Sequence, residues 1–148
     1  MELHEQIEQA LKEAMREKNE LKRDALRMLL TALKMKEKEI RRRPNEAETQ
    51  QTITTLIKQR RDSAELYRTG GREELALKEE NEILVLQAFL PEQLSPEELE
   101  KLVDEAIAES GASSPKEMGK VMKVLMPKTS GRADGKQVNE LVRRKLGG

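Results

Sequence analysis

Residues 118–148 read MGKVMKVLMPKTSGRADGKQVNELVRRKLGG, and this stretch indicates both a helical fold and a charged surface. Its apolar residues recur every three or four positions on both sides of a loop of small residues, which is the spacing of amphipathic helices. It contains eight basic and two acidic residues, so its net charge is +6. The stretch therefore predicts two helices joined by a basic loop that is suited to binding a polyanion.

Helix-start signals divide residues 94–148 into three predicted helices. Ser95-Pro96-Glu97-Glu98 is a capping box with proline at the first helical position, and Ser114-Pro115-Lys116-Glu117 repeats it. Asp134 is a weaker N-cap for the third helix. Pro127 is expected to end the second helix, because proline cannot supply the N–H that a continuing helix needs. This pattern predicts a three-helix bundle with short connections.

Residues 1–93 show the same helical period in four longer segments. The last segment ends in ILVLQAFL, residues 83–90, which is apolar nearly all round and is expected to be buried on several sides. Its acidic residues, Glu82 among them, are interpreted as an ordinary charged face. The predicted helices span about Glu2–Lys18, Leu21–Arg42, Glu46–Thr69 and Arg72–Leu90. The sequence therefore predicts an all-α fold of about seven helices in two subdomains, a four-helix part over 1–93 and a three-helix bundle over 94–148.

The composition restricts both the core and the chemistry. One Tyr and one Phe are the only aromatic residues, so the core must be aliphatic, which favours helix packing over a β-sandwich. The absence of Cys argues against disulfides and thiolate sites, and the single His, His4, argues against imidazole metal sites and Ser-His catalysis. We therefore predict no catalytic residue, no metal site and no cofactor.

No run of about 18 apolar residues is present, so no membrane span is predicted. The N-terminal residues MELHEQIEQA are acidic and amphipathic, unlike a signal peptide. The sequence therefore predicts a cytoplasmic protein.

Opposite charges are segregated along the chain, although 28 basic and 28 acidic residues make it neutral overall. Residues 91–117 carry a net charge of −6, and residues 118–148 carry +6. Two interpretations stay open. The charged segments form a surface for a partner, or the acidic helix complements the basic helices within the bundle. A second basic cluster, Lys34–Arg43, is interpreted as a solvated face, with RNA contact as the minority interpretation.

Basic side chains of the C-terminal segment are the predicted phosphate contacts. Because Asp134 would occupy the anion position at its helix N-terminus, phosphate must be held by side chains and not by the helix end. A nucleotide-binding P-loop is excluded, since the G-x-x-x-x-G-K-[ST] spacing is absent. The predicted RNA-binding residues are Lys120, Lys123, Lys128, Arg132, Lys136, Arg143 and Arg144.

Three glycines, Gly119, Gly131 and Gly135, are predicted to shape the backbone around these residues. Glycine within a helix costs roughly 1 kcal/mol relative to alanine, so Gly119 implies some compensating contact. A closely crossing helix is the commoner cause, and a ligand that approaches the backbone is the alternative.

Four stretches together resemble the YqeY family: RDALRMLLTALK (23–34), KQRRDSAELYRTGGREELALKEENEI (58–83), FLPEQLS (89–95) and EMGKVMKVLMPKTSGRADGKQVNELV (117–142). The last is the most specific. Its combination of MGKVM with GRADGK is similar to the tail domain of GatB, a subunit of the glutamine-dependent aspartyl/glutamyl-tRNA amidotransferase. The resemblance covers essentially the whole chain.

This resemblance implies an all-helical protein with a four-helix part and a tail-like three-helix part. It also implies a link to tRNA, because the GatB tail helps to hold the tRNA body. The family's label of carbon–nitrogen ligase with glutamine as amido donor rests on a much larger catalytic region, which 148 residues could not supply.

Two functional hypotheses follow, and autonomous catalysis is disfavoured. The chain is either a tRNA-binding or amidotransferase-related module, or a protein–protein adaptor in translation-related assemblies. The implied partners are tRNA and the amidotransferase or other translation proteins, and no oligomeric state is indicated.

Overall fold

A computed structural model describes all 148 residues and contains seven α-helices, one short 3₁₀ turn and no strand. This confirms the predicted all-α class. The helices are α1 (Leu3–Arg16), α2 (Glu20–Ile40), α3 (Glu46–Thr69), α4 (Glu73–Gln87), α5 (Pro96–Ser110), α6 (Met118–Thr129) and α7 (Gly135–Lys145), and the 3₁₀ turn is Pro115–Glu117.

The helices form two compact units, Met1–Leu90 with α1 to α4 and Pro91–Gly148 with α5 to α7. The structural division lies three residues before the boundary expected from the sequence. Backbone hydrogen bonding explains the difference, because Leu94 N–H donates to the Arg132 carbonyl (2.9 Å). Gln93 Nε2 also donates to the Gly131 carbonyl (2.7 Å), so the residues after Leu90 pack with the second unit.

The core of the first unit is aliphatic, as the composition requires. On α2, Leu26, Leu29 and Leu33 are fully buried, and their spacing places them on one face. They pack with buried residues of the other three helices. Helix α2 ends at Ile40, earlier than predicted, because Arg41 adopts a left-handed conformation (φ 60°). The remaining members of the buried core are Leu3, Ile7, Ala14, Ile53, Ile57, Ile83 and Leu86.

A buried ion pair between Arg60 and Glu82 crosses this core. Arg60 Nε donates to Glu82 Oε2 at 3.0 Å, and the two residues are only 4% and 6% exposed. Arg60 also donates to the Leu56 carbonyl and to Met28 Sδ, at 3.3 and 3.0 Å. The interpretation of Glu82 as part of an ordinary charged face is therefore wrong, because its carboxylate is paired inside the unit.

The apolar segment 83–90 is only partly buried. Ile83 and Leu86 face the core, but the Leu84 side chain is 64% exposed, and α4 already ends at Gln87. The expectation of burial on several sides is therefore wrong for Leu84, since no helix of the unit covers that side of α4.

The second unit has its own aliphatic core. Leu99, Val103 and Ala106 of α5 pack against Val121 and Leu125 of α6 and against buried residues of α7. The predicted capping box at the start of α5 is present, with Ser95 and Glu98 exchanging side-chain-to-backbone hydrogen bonds. The buried residues from α7 onward are Val138, Val142 and Leu146.

Two predictions at the ends of α6 are wrong. Ser114 caps no helix, because Glu117 Oε1 instead accepts from the backbone N–H and hydroxyl of Ser113, and residues 115–117 form a 3₁₀ turn. Pro127 does not end α6, which continues to Thr129. The Pro127 ring is exposed in the last turn, where losing one hydrogen bond is tolerated.

Gly119 has no close neighbour. A Cβ added there would meet no atom within 4 Å, so no helix crosses close to this backbone. The expectation of a close crossing is therefore wrong, and Gly119 lies exposed in the first turn of α6.

We predict that Gly119→Ala stabilises the second unit by about 0.5 kcal/mol, because alanine has less conformational entropy to lose and meets no obstacle. Thermal unfolding measures this as a higher midpoint. The matched control is Gly111→Ala, which should lower the midpoint, since Gly111 holds a left-handed cap at φ 71°. A lower midpoint for Gly119→Ala would show that something does approach this backbone.

We also predict that Glu82→Ala destabilises the first unit by roughly 3–5 kcal/mol, because it leaves the buried Arg60 charge without a partner. The double variant Arg60→Met/Glu82→Leu should recover most of this loss, since it removes both charges and keeps the volume. Chemical denaturation of the three proteins gives the comparison. If the double variant is as unstable as Glu82→Ala, packing and not charge burial is the cause.

Candidate nucleic-acid interface

The amphipathic stripes of α6 and α7 place their basic residues in solvent. Because Val121 and Leu125 of α6 face the core, Lys120 and Lys123 lie on the exposed side of that helix. On α7, Val138 and Val142 face the core, so the basic residues of this helix lie on its exposed side. These residues are Lys136, Arg143 and Arg144. Lys128, near the end of α6, is exposed as well.

Some of the basic residues are paired with carboxylates of the same unit. Lys120 Nζ lies 3.2 Å from Glu117, and Lys128 Nζ lies 3.8 Å from Glu109 of α5. The pKa of Glu117 is lowered, mainly by the hydrogen bond from the backbone N–H of Ser113 and further by the hydrogen bond from Lys120. These pairs are exposed and contribute little to stability.

Lys145 makes the strongest contact between the acidic and basic helices. Its Nζ lies 2.7 Å from Glu100 and 3.1 Å from Asp104, both on α5. The hydrogen bond to Glu100, followed by that to Asp104, raises the pKa of Lys145. Internal complementarity, one of the two interpretations of the segregated charge, therefore holds for Lys128 and Lys145.

The other interpretation, a charged surface for a partner, still applies to four basic residues. No carboxylate lies within 4 Å of the side-chain nitrogens of Lys123, Lys136, Arg143 or Arg144, and all four are exposed. We call these four residues the unpaired cations. They can attract phosphate without first giving up a partner in the protein.

Arg132 occupies a structural position as well as a predicted binding one. It is half-buried, and its Nε donates to the Glu92 carbonyl at 3.0 Å while Nη1 donates to the Lys128 carbonyl at 3.4 Å. Its positive charge also contributes to the lowered pKa of Glu98, although the backbone N–H of Ser95 is the largest cause. Arg132 thus fastens the segment before α5 to the loop before α7.

The start of α7 confirms the predicted N-cap. Asp134 Oδ1 accepts a hydrogen bond from the backbone N–H of Lys136 at 3.3 Å, so this helix end already holds a carboxylate. Gly131 has φ 74°, a left-handed conformation that glycine adopts without strain, whereas Gly135 is exposed and a Cβ there would meet nothing. Of the three glycines named from the sequence, only Gly131 has a backbone conformation that favours glycine.

The basic cluster Lys34–Arg43 is also divided by the structure. Arg42 makes a bidentate contact with Glu48, at 2.6 and 2.9 Å, and Arg43 lies 3.2 Å from Glu2. The arginines at the end of the cluster therefore connect α2 to the neighbouring helices, while Lys34 and Lys38 remain exposed.

The structure contains neither a cluster of metal ligands nor a membrane-spanning helix. No group of three or more His, Asp or Glu residues lies close enough to hold a metal ion. None of the helices combines the length and the apolar character that crossing a membrane requires.

Sequence reasoning missed the role of Lys145 and the segment Glu92–Leu94. A signal was available for Lys145, because Glu100 and Asp104 are spaced i, i+4 on one face of α5 and can hold a cation together. No local pattern indicates that the carbonyl of Glu92 binds a guanidinium 40 residues away.

The family model described as Yqey-like protein matches residues 4–146. The chain belongs to the YqeY family. The match extends over both units and confirms the resemblance to the YqeY family.

Two curated relatives are proteins of fungi, and both carry the name altered inheritance of mitochondria protein 41, mitochondrial. The one from Vanderwaltozyma polyspora is 35% identical over 101 residues, which cover 66% of this chain and 55% of the relative. The one from Eremothecium gossypii is 34% identical over 85 residues, which cover 57% of this chain and 46% of the relative. The chain thus spans about half the length of the curated relatives it matches.

We predict that Arg132→Ala destabilises the second unit, because the Glu92 and Lys128 carbonyls lose their donor. Amide hydrogen exchange at Leu94, whose N–H donates to the Arg132 carbonyl, should become faster. Lys136→Ala is the control, since its side chain makes no hydrogen bond in the protein. Equal exchange rates at Leu94 in the two variants would contradict a fastening role for Arg132.

Proposed function

We propose that this protein binds tRNA, or RNA of similar structure, through the basic residues of its second unit. The observation that carries the proposal is the set of four unpaired cations on the exposed sides of α6 and α7. Phosphate contacts by Lys and Arg dominate the affinity of most protein–nucleic acid complexes. The YqeY family membership and the similarity of MGKVM and GRADGK to the GatB tail support tRNA as the RNA class.

The paired residues form a second group of candidate contacts. Lys120 is paired with the partly buried Glu117 and Lys128 with the exposed Glu109, and ion pairs that remain accessible to water are weak enough for phosphate to compete with them. Arg132 has only Nη2 left without a hydrogen bond in the protein, so we expect it to contribute less than the unpaired cations.

The proposal is binding without autonomous catalysis. The relation to amidotransferases would then consist of a shared tRNA-binding module and not of a shared reaction. The proposal includes a cytoplasmic location for this chain, although the two curated relatives are named as mitochondrial.

A protein–protein adaptor is the second candidate, and exposed leucines on α3 and α4 favour it. Leu66, Leu77 and Leu84 are 73%, 50% and 64% exposed. Leu77 and Leu84 are seven residues apart and so lie on one side of α4. An adaptor would retain its partner after nuclease treatment, whereas an RNA-bridged complex would not.

We predict that binding to total tRNA weakens with salt at a slope of log K against log salt of roughly −3 to −4 if four phosphates are neutralised. Replacing the unpaired cations in the variant Lys123→Gln/Lys136→Gln/Arg143→Gln/Arg144→Gln should remove most of the affinity and flatten the slope. Fluorescence anisotropy across a range of salt concentrations measures both quantities.

The charge-matched control changes four exposed residues of the first unit that also lack acidic partners, in the variant Lys12→Gln/Lys38→Gln/Lys58→Gln/Lys78→Gln. It has the same net charge as the test variant and should bind nearly as tightly as the unmodified protein. If both variants lose affinity equally, the attraction is a property of total charge. Absence of binding at low salt would end the proposal.

A further inference from the structure

A groove of about 560 Å³ lies between α1 and α2 in the first unit. This volume is in the range of small-molecule sites. Each helix contributes one face to it, because the residues from α1 and from α2 recur at helical spacing. The lining residues are His4, Glu8 and Leu11 of α1, Arg27, Leu30, Thr31, Lys34 and Glu37 of α2, and Arg43 beyond α2.

The charges at one end of the groove are already satisfied. His4 Nε2 lies 3.0 Å from Glu8, and Arg43 lies 3.2 Å from Glu2 and 3.9 Å from Glu8. These contacts join the beginning of α1 to the segment after α2. This end of the groove therefore offers no uncompensated charge to a ligand.

The other part of the groove carries cations without partners. No carboxylate lies within 4 Å of the side-chain nitrogens of Arg27 or Lys34, and both residues are exposed. Thr31 lies between them on the same face of α2, and its hydroxyl makes no hydrogen bond in the protein, whereas Thr49 and Thr52 bond to their own helix. Three polar groups are thus available to one anion.

The base of the groove is apolar. Leu11 and Leu30 are half-buried and pack against the core of the first unit while still lining the groove. An extended polyanion does not suit this surface, because Glu37, which has no basic partner within 4 Å, also lines it and would repel a phosphate chain. One anionic group with an apolar body suits it better, since the body can cover the leucines while the anion meets Arg27 and Lys34.

We propose that this groove is a binding site for a small amphipathic anion, an apolar body that carries one carboxylate, sulfonate or phosphate. The anion is held by Arg27, Thr31 and Lys34, and the body lies on Leu11 and Leu30. This site is independent of the RNA-binding proposal, because it uses residues of the first unit alone.

The test uses the fluorescent probe anilinonaphthalene sulfonate, which has an apolar body and one anionic group. We expect saturable binding to the full chain, displacement by octanoate, and much weaker displacement by octanol, which has the same chain length without the charge. The variant Arg27→Gln/Lys34→Gln should weaken probe binding by roughly tenfold, because charge-assisted hydrogen bonds are lost. Far-ultraviolet circular dichroism checks that each variant is folded.

Two controls locate the site. Lys12→Gln/Arg16→Gln makes the same change of charge on α1 outside the groove and should bind the probe unchanged. Leu84→Ser removes the most exposed leucine of α4 and should also leave binding unchanged. The proposal is overturned if the probe does not bind, if octanol competes as well as octanoate, or if Leu84→Ser weakens binding while the groove variant does not. The groove variant should bind tRNA as tightly as the unmodified protein, so loss of probe binding and loss of tRNA binding can be distinguished.

Discussion

The fully buried hydrophobic residues of both cores are all aliphatic, and the rest of the structure depends on this constraint. Aliphatic residues on amphipathic helices can fill a core only by aligning narrow stripes, so each helix commits one face to packing and leaves the others to solvent. The core therefore offers little chemistry for function. The exception is the buried pair of Arg60 and Glu82, in which desolvation of both charges is offset by three hydrogen bonds from the guanidinium group.

Much of the fold could be predicted because the relevant signals are local. Helical periodicity and the capping box at Ser95 involve residues three or four positions apart, and the structure contains this box. The box at Ser114 has the same local pattern, but it fails because Glu117 bonds to Ser113 instead. Pro127 misleads for a related reason, since a proline ring that faces solvent in a last turn does not stop a helix.

The candidate site was less predictable, because a basic side chain that is exposed to solvent can still be paired with a carboxylate. Helical spacing identifies which basic residues face solvent, but not which of them meet a carboxylate. The partners of Lys128 and Lys145 lie on α5, far away in sequence. The i, i+4 spacing of Glu100 and Asp104 indicates a place for a cation, but it does not identify Lys145 as that cation. Arg132 illustrates the same limit, because its acceptor is a backbone carbonyl, a group that every residue carries. Counting charges in segment 118–148 thus overestimates the number of basic residues that lack an acidic partner.

The balance of charge in the second unit determines what kind of binding it can support. The segments 91–117 and 118–148 carry −6 and +6, so the unit as a whole is neutral. A neutral unit does not concentrate RNA by long-range attraction, and salt screens what remains beyond about 10 Å. Under the RNA-binding proposal, recognition would then come from short-range contacts, in which the spacing of the unpaired cations matters more than their number. The acidic face of α5 would repel phosphates that approach from its side, so under the RNA-binding proposal the segregation of charge would orient a bound polyanion.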